Sequence, residues 1–499
     1  MPPIFLMAPH SREGLRYGAE IVKTYGNVIA AVDDVSNENS VYGVPRWNSV
    51  TLKEKANKYE GAIAIDLSFS EKSKAWVAGL CQSIGIRCLS LRQALRELGE
   101  LPSCTLEQVS DYAEFIVSRS AKGAGSNFVP LETFPQNELD NIDIKTIAFY
   151  LPQFHTFPLN NEWFGKGFTE WTNVTKAIPQ YTNHYQPQLP IDVGYYDLNN
   201  ISVMHRQVEL AKNFGIYGFC FHYYWFSGTR LMEMPIFQWL NNPDIDFPFC
   251  LNWANENWAK LWDAGDREVA YKQELLSDDD EKFFNDILPF FNDRRYIKID
   301  QKPVLIIYRP HLFKKERFLQ FVDTLRRKAV ENGFPGLYMI SVNSHGFQDD
   351  PKQWGMDAML EFPPHALRER GIKKKSLNVF VNPNFCGEVW DGENFVKNKK
   401  YLYKVEYKLF KGVAPSWDNT PRKAYNGSVV LDGITPEIYQ EWLSGCIEYT
   451  RENHSQDENF IFINAWNEWA EGAHLEPDSH YGYAYLQATR NALLKRKKQ

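Results

Sequence analysis

Two segments of this sequence lead from an apolar run straight to acidic residues, a setting in which carboxyl groups do chemistry. The segment "FINAWNEWAEGAHLEPD" leads to Glu468, and the segment "LNWANENW" leads to Glu256. Cleavage of a glycosidic bond needs one carboxylic acid to protonate the leaving oxygen and a second carboxylate to act as base or nucleophile. We predict Glu256 and Glu468 as that catalytic pair.

Other kinds of active site have no signature in the sequence. It contains no Ser or Cys in a nucleophile-elbow setting, no HExxH segment and no paired Cys and His spacing. We therefore predict no metal and no cofactor. The aromatic share is high, at 15% with 15 Trp and 26 Tyr, and such rings form platforms on which the apolar faces of sugars stack.

Eight apolar runs with strand character alternate with helical periodicity after residue 144. The runs are "KTIAFYL" (145–151), "IYGFCFHY" (216–223), "FPFCLNW" (247–253), "PVLIIY" (303–308), "LYMISV" (337–342), "DAMLEF" (357–362), "LFKGVAPSW" (409–417) and "NFIFINAW" (459–466). The clearest helical segments are 201–214, 281–293, 312–332, 436–452 and 481–495. The fold class is therefore predicted as α/β, with a (β/α)8 TIM barrel at residues 144–499 as the catalytic domain.

The active site of such a barrel is built at the carboxyl ends of its strands. Polar and aromatic residues follow each predicted strand. We predict these side chains to bind the substrate: Tyr150, Gln153, His155, His222, Tyr224, Asn252, Asn255, Trp258, Arg309, Glu361, Trp417, Asp418, Trp466, Asn467, Glu471 and Glu476.

Several of these residues have a second interpretation. Glu471 and Glu476 lie further into their loop, where solvation or helix capping is favoured over substrate contact. Glu361 is either a third acid of the active site or an ion-pair partner of Arg309. His222 either donates to a sugar hydroxyl or is a hydrogen-bonded core residue. The three tryptophans either stack on sugar or pack in the core.

The first 120 residues alternate apolar strand-like runs with amphipathic stretches, which predicts a small Rossmann-like open α/β domain. Residues 121–143 are polar, contain Gly and Pro, and are predicted to be a linker. The first turn, "APHSREGLRYG", lacks the closely spaced glycines of a dinucleotide site, although Asp33 and Asp34 follow the second strand. A structural or partner-binding module is favoured over a dinucleotide-binding one.

Charge and cysteine content exclude several classes of protein. The net charge of the 499 residues is −7, and the C-terminal "LLKRKKQ" is interpreted as a solvated helix end, so we expect no nucleic-acid partner. Seven cysteines without paired spacing predict no disulfide framework. We see no signal-peptide pattern at the N-terminus and no apolar run of about 18 residues. The expectation is a cytoplasmic protein without a membrane span.

Seven ordered motifs resemble a known family over about residues 145–495. They are "IAFYLPQFH", "WFGKGFTEWTNV", "HYQPQLP", "YGFCFHYYWFSG", "LNWANENW", "VAPSWDNTPR" and "FINAWNEWAEGAHLEPD". The family is that of the WbsX-like proteins of bacterial polysaccharide gene clusters, which are customarily labelled glycosyltransferases. The resemblance implies a saccharide substrate and association with polysaccharide-assembly proteins.

More distantly, "NAWNEWAEGAHLEP" resembles glycoside hydrolase family 99, the endo-α-mannosidases and endo-α-mannanases. That resemblance implies a (β/α)8 barrel and hydrolysis of α-linked sugars. It also implies two glutamates three apart in one loop, and we expect the equivalent loop to be "NWANENWAK". That loop offers Glu256, but Trp253 and Ala259 stand three residues to either side. Glu468, Asp418 or Glu361 would then supply the second group, or the mechanism differs.

Three hypotheses follow for the function. The first is a glycoside hydrolase that acts within an α-linked polysaccharide or oligosaccharide. The second is a glycosyltransferase of surface-polysaccharide or O-antigen assembly, which would need a diphosphate site, whereas "DDD" at 278–280 precedes a helix. The third is a carbohydrate-binding protein without catalysis.

Overall fold

The structure is a computed structural model of the 499-residue chain. It describes residues 1–495 except for 37, 69–70, 103–126, 141, 260–268, 378–380, 383–384 and 424–426. The chain divides into two compact units. The smaller unit contains Met1–Lys122, Pro179–His184 and Leu377–Cys386, and the larger unit contains the remainder.

In the smaller unit, a six-stranded sheet alternates with helices. The elements in chain order are β1 (Ile4–Met7), α1 (Arg12–Tyr25), β2 (Val28–Val32), β3 (Ser40–Val41), β4 (Val44–Trp47), α2 (Ser49–Lys55), β5 (Ile63–Asp66), α3 (Glu71–Ser83), β6 (Arg87–Ser90) and α4 (Leu91–Leu98). The strand order is β3-β4-β2-β1-β5-β6, and every pairing is parallel except that of β3 with β4. The predicted Rossmann-like open α/β fold is confirmed.

The carboxylate that could have held a ribose in this unit has protein partners. Asp33 accepts hydrogen bonds from the backbone N–H groups of Val35 and Ser36 and from the guanidinium of Arg46. The carbonyl of Pro9 lies 2.2 Å from the place of a β-carbon on Gly14, so the β1–α1 loop packs directly on the start of its helix. Both features favour the structural interpretation of this turn.

In the larger unit, eight parallel strands close into a barrel. They are β7 (Lys145–Tyr150), β8 (Ile216–Phe226), β10 (Phe249–Trp253), β14 (Lys302–Ile307), β15 (Tyr338–Asn343), β16 (Ala358–Glu361), β18 (Leu409–Val413) and β21 (Phe460–Ile463). Each pairs with the next, and β21 pairs with β7, so the ring has no edge. All eight predicted strands and the predicted TIM barrel are confirmed.

The strands form because both of their faces are covered. All five residues of β10 and all four of β21 are buried, as are five of the six in β14. Parallel strands that are buried on both faces have continuous apolar sequences. The sequence has such an apolar run at each of the eight barrel strands. Aromatic side chains fill much of the interior, among them Phe149, Phe219 and Phe462.

Helices surround the barrel. They are α5 (Pro158–Phe164), α6 (Trp171–Thr175), α7 (Ile201–Asn213), α8 (Met234–Asn241), α9 (Asp279–Phe291), α10 (Lys315–Glu331), α11 (Gly392–Lys397), α12 (Thr420–Lys423), α13 (Pro436–Asn453) and α14 (Ala484–Leu494). The five predicted helical segments correspond to α7, α9, α10, α13 and α14. Short 3-10 turns lie at Gln136–Leu139, Pro310–Leu312, Pro351–Trp354, Gln456–Glu458 and Trp469–Glu471, with one at Ala56–Lys58 in the smaller unit.

The larger unit also contains short strands in addition to the eight of the barrel. They are β9 (Thr229–Leu231), β11 (Trp258–Ala259), β12 (Val269–Tyr271), β13 (Lys298–Ile299), β17 (Glu388–Asp391), β19 (Trp417–Asp418), β20 (Val429–Asp432), β22 (Asn467–Glu468) and β23 (Ala473–His474). The seventh barrel strand is shorter than predicted. It ends at Val413 because the chain turns away near Pro415, which has no N–H for the sheet, and Trp417 pairs antiparallel with β20 instead.

The described cysteines are all free thiols, and Cys104 lies outside the described residues. Among the described helices, none has the length and apolar character needed to cross a bilayer. The basic C-terminal segment follows α14, and its residues 496–499 lie outside the described chain.

Candidate active site

The loop after the last barrel strand is tied to the first strand of the barrel. Oδ1 of Asn467 accepts a hydrogen bond from the N–H of Leu151 at 2.7 Å, and its Nδ2 donates to the carbonyl of Leu151 at 3.0 Å. Asn467 is fully buried. Asn467 was predicted to bind substrate, but its side-chain amide binds the backbone of Leu151 instead. These hydrogen bonds fix the position of the next residue, Glu468.

A single guanidinium contacts three carboxyl groups at this end of the barrel, two of them buried and the third, that of Glu471, partly buried. Nη2 of Arg422 lies 2.8 Å from Oε2 of Glu468, and Nη1 lies 2.5 Å from Oε1 of Glu471. Oε2 of Glu170 lies 3.0 Å from Nη2 and 3.1 Å from Nε. Glu468 and Glu471 stand three residues apart in one loop, so the spacing implied by family 99 occurs after the eighth strand rather than after the third.

The short helix that carries Arg422 is fixed by Asp418. Oδ1 of Asp418 accepts from the N–H of Thr420 at 3.0 Å, and its Oδ2 accepts from Nε2 of Gln186 at 2.5 Å. Gly472 has a φ of 59°, and a β-carbon there would lie 2.9 Å from the β-carbon of Asp418. Glycine is therefore required where the glutamate loop passes the Arg422 helix.

The cluster places three carboxyl groups around one guanidinium, and the pKa values of Glu468 and Glu471 are both raised. Burial raises the pKa of Glu468 to about 8 against the lowering effect of Arg422, and the charges of Glu471 and Glu170 raise it further. Burial also raises the pKa of Glu471, which Arg422 and Lys423 lower. Desolvation of a carboxyl group favours its neutral form. With a pKa of about 8, Glu468 retains its proton near neutral pH.

His222 faces Glu468 from the second barrel strand. Nδ2 of Asn252 donates to Nδ1 of His222 at 3.0 Å, which leaves the proton of the neutral ring on Nε2. The ring stacks on Phe149 with centroids 5.4 Å apart. Burial lowers the pKa of His222 to about 3, and the charge of Arg422 lowers it as well. His222 is thus a neutral donor that points towards Glu468.

Glu256 lies at the more open part of the site. Its side chain is 40% exposed, and Oε1 lies 2.7 Å from Nη1 of Arg309 and 3.3 Å from Nε2 of His345. Asn255 clamps the backbone of Arg309, because its Oδ1 accepts from the N–H at 2.7 Å and its Nδ2 donates to the carbonyl at 2.8 Å. The structure therefore pairs Glu256 with Arg309, and it pairs Glu468 with Arg422.

Tyr224 connects the two acidic groups. Burial raises the pKa of its phenol, and the charge of Glu468 raises it further, with smaller effects from Glu256 and Glu471. Its ring packs edge-on against Trp258, with centroids 5.5 Å apart. The charges of both predicted catalytic glutamates thus raise the pKa of this phenol.

Glu476 is enclosed, whereas loop solvation was the favoured prediction. Its Oε1 accepts from Nε2 of Gln207 at 2.6 Å and from Nε1 of Trp466 at 3.1 Å. Its Oε2 accepts from Nε1 of Trp469 at 2.6 Å and from the hydroxyl of Tyr196 at 2.9 Å. Burial raises the pKa of Glu476 to about 7 against these four donors. The solvated interpretation is wrong for Glu476, and the partly buried Glu471 contacts Arg422.

Other predicted substrate-binding residues of the first and last strands also have protein partners. The hydroxyl of Tyr150 donates to Oε1 of Gln207 at 2.7 Å, behind the Glu476 group. Nδ1 of His155 lies 2.7 Å from the carbonyl of Pro152, and burial lowers the pKa of the ring. Gln153, Trp417 and Trp466 are buried.

Glu361 does not pair with Arg309, so that interpretation is wrong. Its Oε1 accepts from Nζ of Lys411 at 2.8 Å, and its Oε2 accepts from the N–H of Gly412 at 3.2 Å. Lys411 is completely buried, and it also donates to the carbonyl of Tyr401 at 2.6 Å. Lys411 lies on the barrel strand that pairs with the strand of Glu361. It is therefore better placed than Arg309 to form an ion pair with Glu361.

The sequence prediction missed Glu170 and Arg422. Both lie in motifs that carry the family resemblance, "WFGKGFTEWTNV" and "VAPSWDNTPR", but neither directly follows a predicted strand. Spacing from strand ends therefore gives no signal for them. Among the described residues, no group of three or more His, Cys, Asp or Glu side chains is arranged to hold a metal ion.

The larger part of the chain matches a known protein family. Residues 146–489 match a protein-family model described as glycosyltransferase WbsX. Proteins described as uncharacterized protein WxcX, from two strains of Xanthomonas campestris pv. campestris, are 37% identical over 440 residues. That match covers 86% of this chain and 62% of those proteins, so the chain spans about three fifths of their length.

Two solved structures are similar over the larger part of the chain. A glycoside hydrolase-like protein has a TM-score of 0.44 at 16% identity, covering 74% of this chain and 99% of that one. A GH99 endo-alpha-mannosidase from Bacteroides thetaiotaomicron has a TM-score of 0.44 at 14% identity, covering 70% of this chain and 96% of that one.

Proposed function

The chain belongs to the WbsX family, and we propose that it is a carbohydrate-active enzyme that cleaves a glycosidic bond through Glu468 and Glu471. The observation that carries the proposal is the pair of carboxyl groups on one guanidinium, of which the buried Glu468 retains its proton near neutral pH. Two carboxyl groups whose environments separate their pKa values are suited to the acid and base roles of glycosyl chemistry.

Glu256 was the predicted partner of Glu468, and Glu471 is the better candidate. Glu471 is less exposed than Glu256, at 19% against 40% of its side chain, and it shares Arg422 with Glu468, so the two carboxyl groups act within one small volume. Glu256 is bound by Arg309 and is partly exposed, which suits contact with a substrate hydroxyl at the entrance. Glycosidases need their two carboxyl groups on either side of one bond, and the shared guanidinium favours Glu468 with Glu471.

The substrate we propose is an α-linked oligosaccharide or polysaccharide. This rests on the resemblance of "NAWNEWAEGAHLEP" to family 99 and on the aromatic walls of the site, including Tyr224 and Trp258. Polysaccharide or lipopolysaccharide biosynthesis, partner proteins of that assembly and a cytoplasmic location are parts of the same proposal. They rest on the family membership.

A glycosyltransferase is the second candidate, because the family is described as one. Such an enzyme needs a site for the diphosphate of its donor. The acidic cluster 278–280 does not suit a metal-bound diphosphate, because Asp278 pairs with Lys282, Asp279 accepts from Ser227, and Asp280 accepts from Arg317. The carboxyl pair favours cleavage over transfer from such a donor.

The two activities can be separated directly. Purified protein is incubated with a panel of α-linked glycans, with and without nucleotide sugars, and the products are analysed by mass spectrometry. Cleavage that needs no nucleotide sugar supports the proposal, and elongation that requires one supports the transferase. Saturable binding without any product would indicate a carbohydrate-binding protein. The matched variants are Glu468→Gln and Glu471→Gln, each expected to lower the rate by roughly 10²-fold or more.

A further inference from the structure

Glu170 is a fully buried glutamate that does not belong to the proposed catalytic pair, Glu468 and Glu471. It directly precedes α6, in the loop region after the first barrel strand, and its backbone N–H donates to the carbonyl of Gln153 at 3.2 Å. Its Oε1 accepts from Nδ2 of Asn173 at 3.2 Å, and its Oε2 contacts Arg422. A buried carboxyl group needs polar partners, and Glu170 has the guanidinium of Arg422 and the amide of Asn173.

Glu170 and Glu468 contact the same atom. Oε2 of Glu170 lies 3.0 Å from Nη2 of Arg422, and Oε2 of Glu468 lies 2.8 Å from that same nitrogen. Two carboxylate oxygens that share one nitrogen are close enough to repel each other strongly when both are ionised. The charge of Glu170 therefore opposes ionisation of Glu468.

We propose that Glu170 is a positioning residue that acts through Arg422 to keep the proton on Glu468. This inference rests on the proposed function, in which the Glu468 and Glu471 pair needs one protonated member. Glu170 takes part of the positive charge of Arg422, so that less of it remains to stabilise an ionised Glu468. The three carboxylates and one guanidinium then work as a single electrostatic unit.

Groups from several elements face Glu468. His222 on β8 lies 4.0 Å away and is neutral, since its pKa is about 3. Tyr224, also on β8, is a neutral phenol with a raised pKa. Glu471 in the same loop raises the pKa of Glu468, and Arg422 on α12 lowers it. Glu170 adds a negative charge from outside the catalytic loop.

The test uses Glu170→Gln, Glu170→Asp and a control, Glu162→Gln. The control removes the same charge from an exposed glutamate on the neighbouring helix α5. Each variant is assayed for rate against pH on a glycan that the wild type cleaves. In parallel, carboxyl resonances of protein labelled with ¹³C-glutamate are titrated, and the signal of Glu468 is assigned by its loss in Glu468→Gln.

The proposal predicts that Glu170→Gln lowers the pKa of Glu468 by about one unit, and that the alkaline limb of the rate profile moves with it. Glu170→Asp and Glu162→Gln should leave both near their wild-type positions. If Glu170→Gln lowers rate or stability without moving the Glu468 titration, Glu170 is structural and the inference is wrong. Failure of both Glu170 variants to fold would overturn it in the same way.

The two proposals fail in distinguishable ways. A Glu468 resonance that moves in Glu170→Gln while the rate profile stays in place would contradict the catalytic role of Glu468 and support the inference. A wild-type rate profile that follows the Glu468 titration, with neither moving in Glu170→Gln, would contradict the inference and support the proposed function.

Discussion

Nε2 of His222 lies 4.0 Å from Oε1 of Glu468. This separation is too long for a direct hydrogen bond, whose donor and acceptor atoms lie within about 3.2 Å. It is suited to one oxygen atom between the two groups, which would accept from the N–H of His222 and interact with the carboxyl of Glu468. A substrate hydroxyl is the oxygen that the proposed reaction would bring there.

Replacement of His222 by Gln should raise KM or lower kcat by roughly 10-fold, the scale of one lost hydrogen bond to substrate. The pH limits of activity should not change, because His222 has a pKa of about 3 and is neutral at all higher pH values. Kinetics against pH measure both effects, with the exposed His205→Gln as control. A shift of either limb would show that His222 titrates during the reaction.

The rate of the wild type should fall as pH rises through about 8. Burial raises the pKa of Glu468 to about 8, so the carboxyl is protonated below that pH and loses its proton above it. The active form is the protonated one, since a glycosidic oxygen needs a proton donor. A profile of kcat against pH that is flat from 6 to 10 would contradict this assignment.

Replacement of Glu476 by Gln should lower the free energy of unfolding by about 1–3 kcal/mol near pH 5, because both oxygens of the protonated carboxyl can still accept a hydrogen bond, whereas an amide nitrogen cannot. The difference from the wild type should shrink as pH rises towards 7. The pKa of Glu476 is raised from 4.5 to about 7 in the folded state, so ionisation costs the wild type stability over that interval.

Urea unfolding of both proteins at pH 5 and pH 7 checks the Glu476 prediction. The buried aromatic partners Trp466, Trp469 and Tyr196 should report the same transition by fluorescence. A difference below 0.5 kcal/mol at both pH values, on the order expected for a surface change, would mean that the four hydrogen bonds to Glu476 contribute little.

Replacement of Lys411 by Met should lower the free energy of unfolding by roughly 3–5 kcal/mol, because it leaves Glu361 as a buried charge without its partner. The double variant Glu361→Gln with Lys411→Met should recover much of that loss. Thermal and urea unfolding of the single and double variants measure the coupling. Equal stability of the single and double variants would contradict the role of this ion pair.

The barrel could be predicted because its strands are buried on both faces. Runs such as 303–308 and 459–466 are apolar over their whole length, and helical periodicity lies between them. The strands β3, β17 and β20 were not predicted. They are two to four residues long, and the pairing that defines them is a tertiary contact without a distinct local pattern.

The site was predicted only where a residue directly follows a strand. Glu468 fits that rule, and His222 lies near the end of the predicted run 216–223, inside β8. Both lie at the carboxyl cluster. Arg422 stands nine residues after Val413, on a short helix whose position depends on Asp418. Glu170 likewise lies in an irregular segment. Their convergence on one another is a property of the folded chain, and local sequence patterns do not specify it.

The central claim is that Glu468 and Glu471 form the acid and base of the reaction. The most direct measurement compares Glu468→Gln, Glu471→Gln and Glu256→Gln on a natural glycan and on the matching glycoside with a dinitrophenyl leaving group. Such a leaving group departs without protonation, so loss of the general acid no longer limits the rate.

We predict that both Glu468→Gln and Glu471→Gln lose roughly 10²-fold or more on the glycan, and that Glu468→Gln recovers on the activated glycoside. Glu256→Gln should lose less than either on both substrates. Near wild-type rates for Glu468→Gln or Glu471→Gln on the glycan, or a loss in Glu256→Gln that matches theirs, would contradict the account.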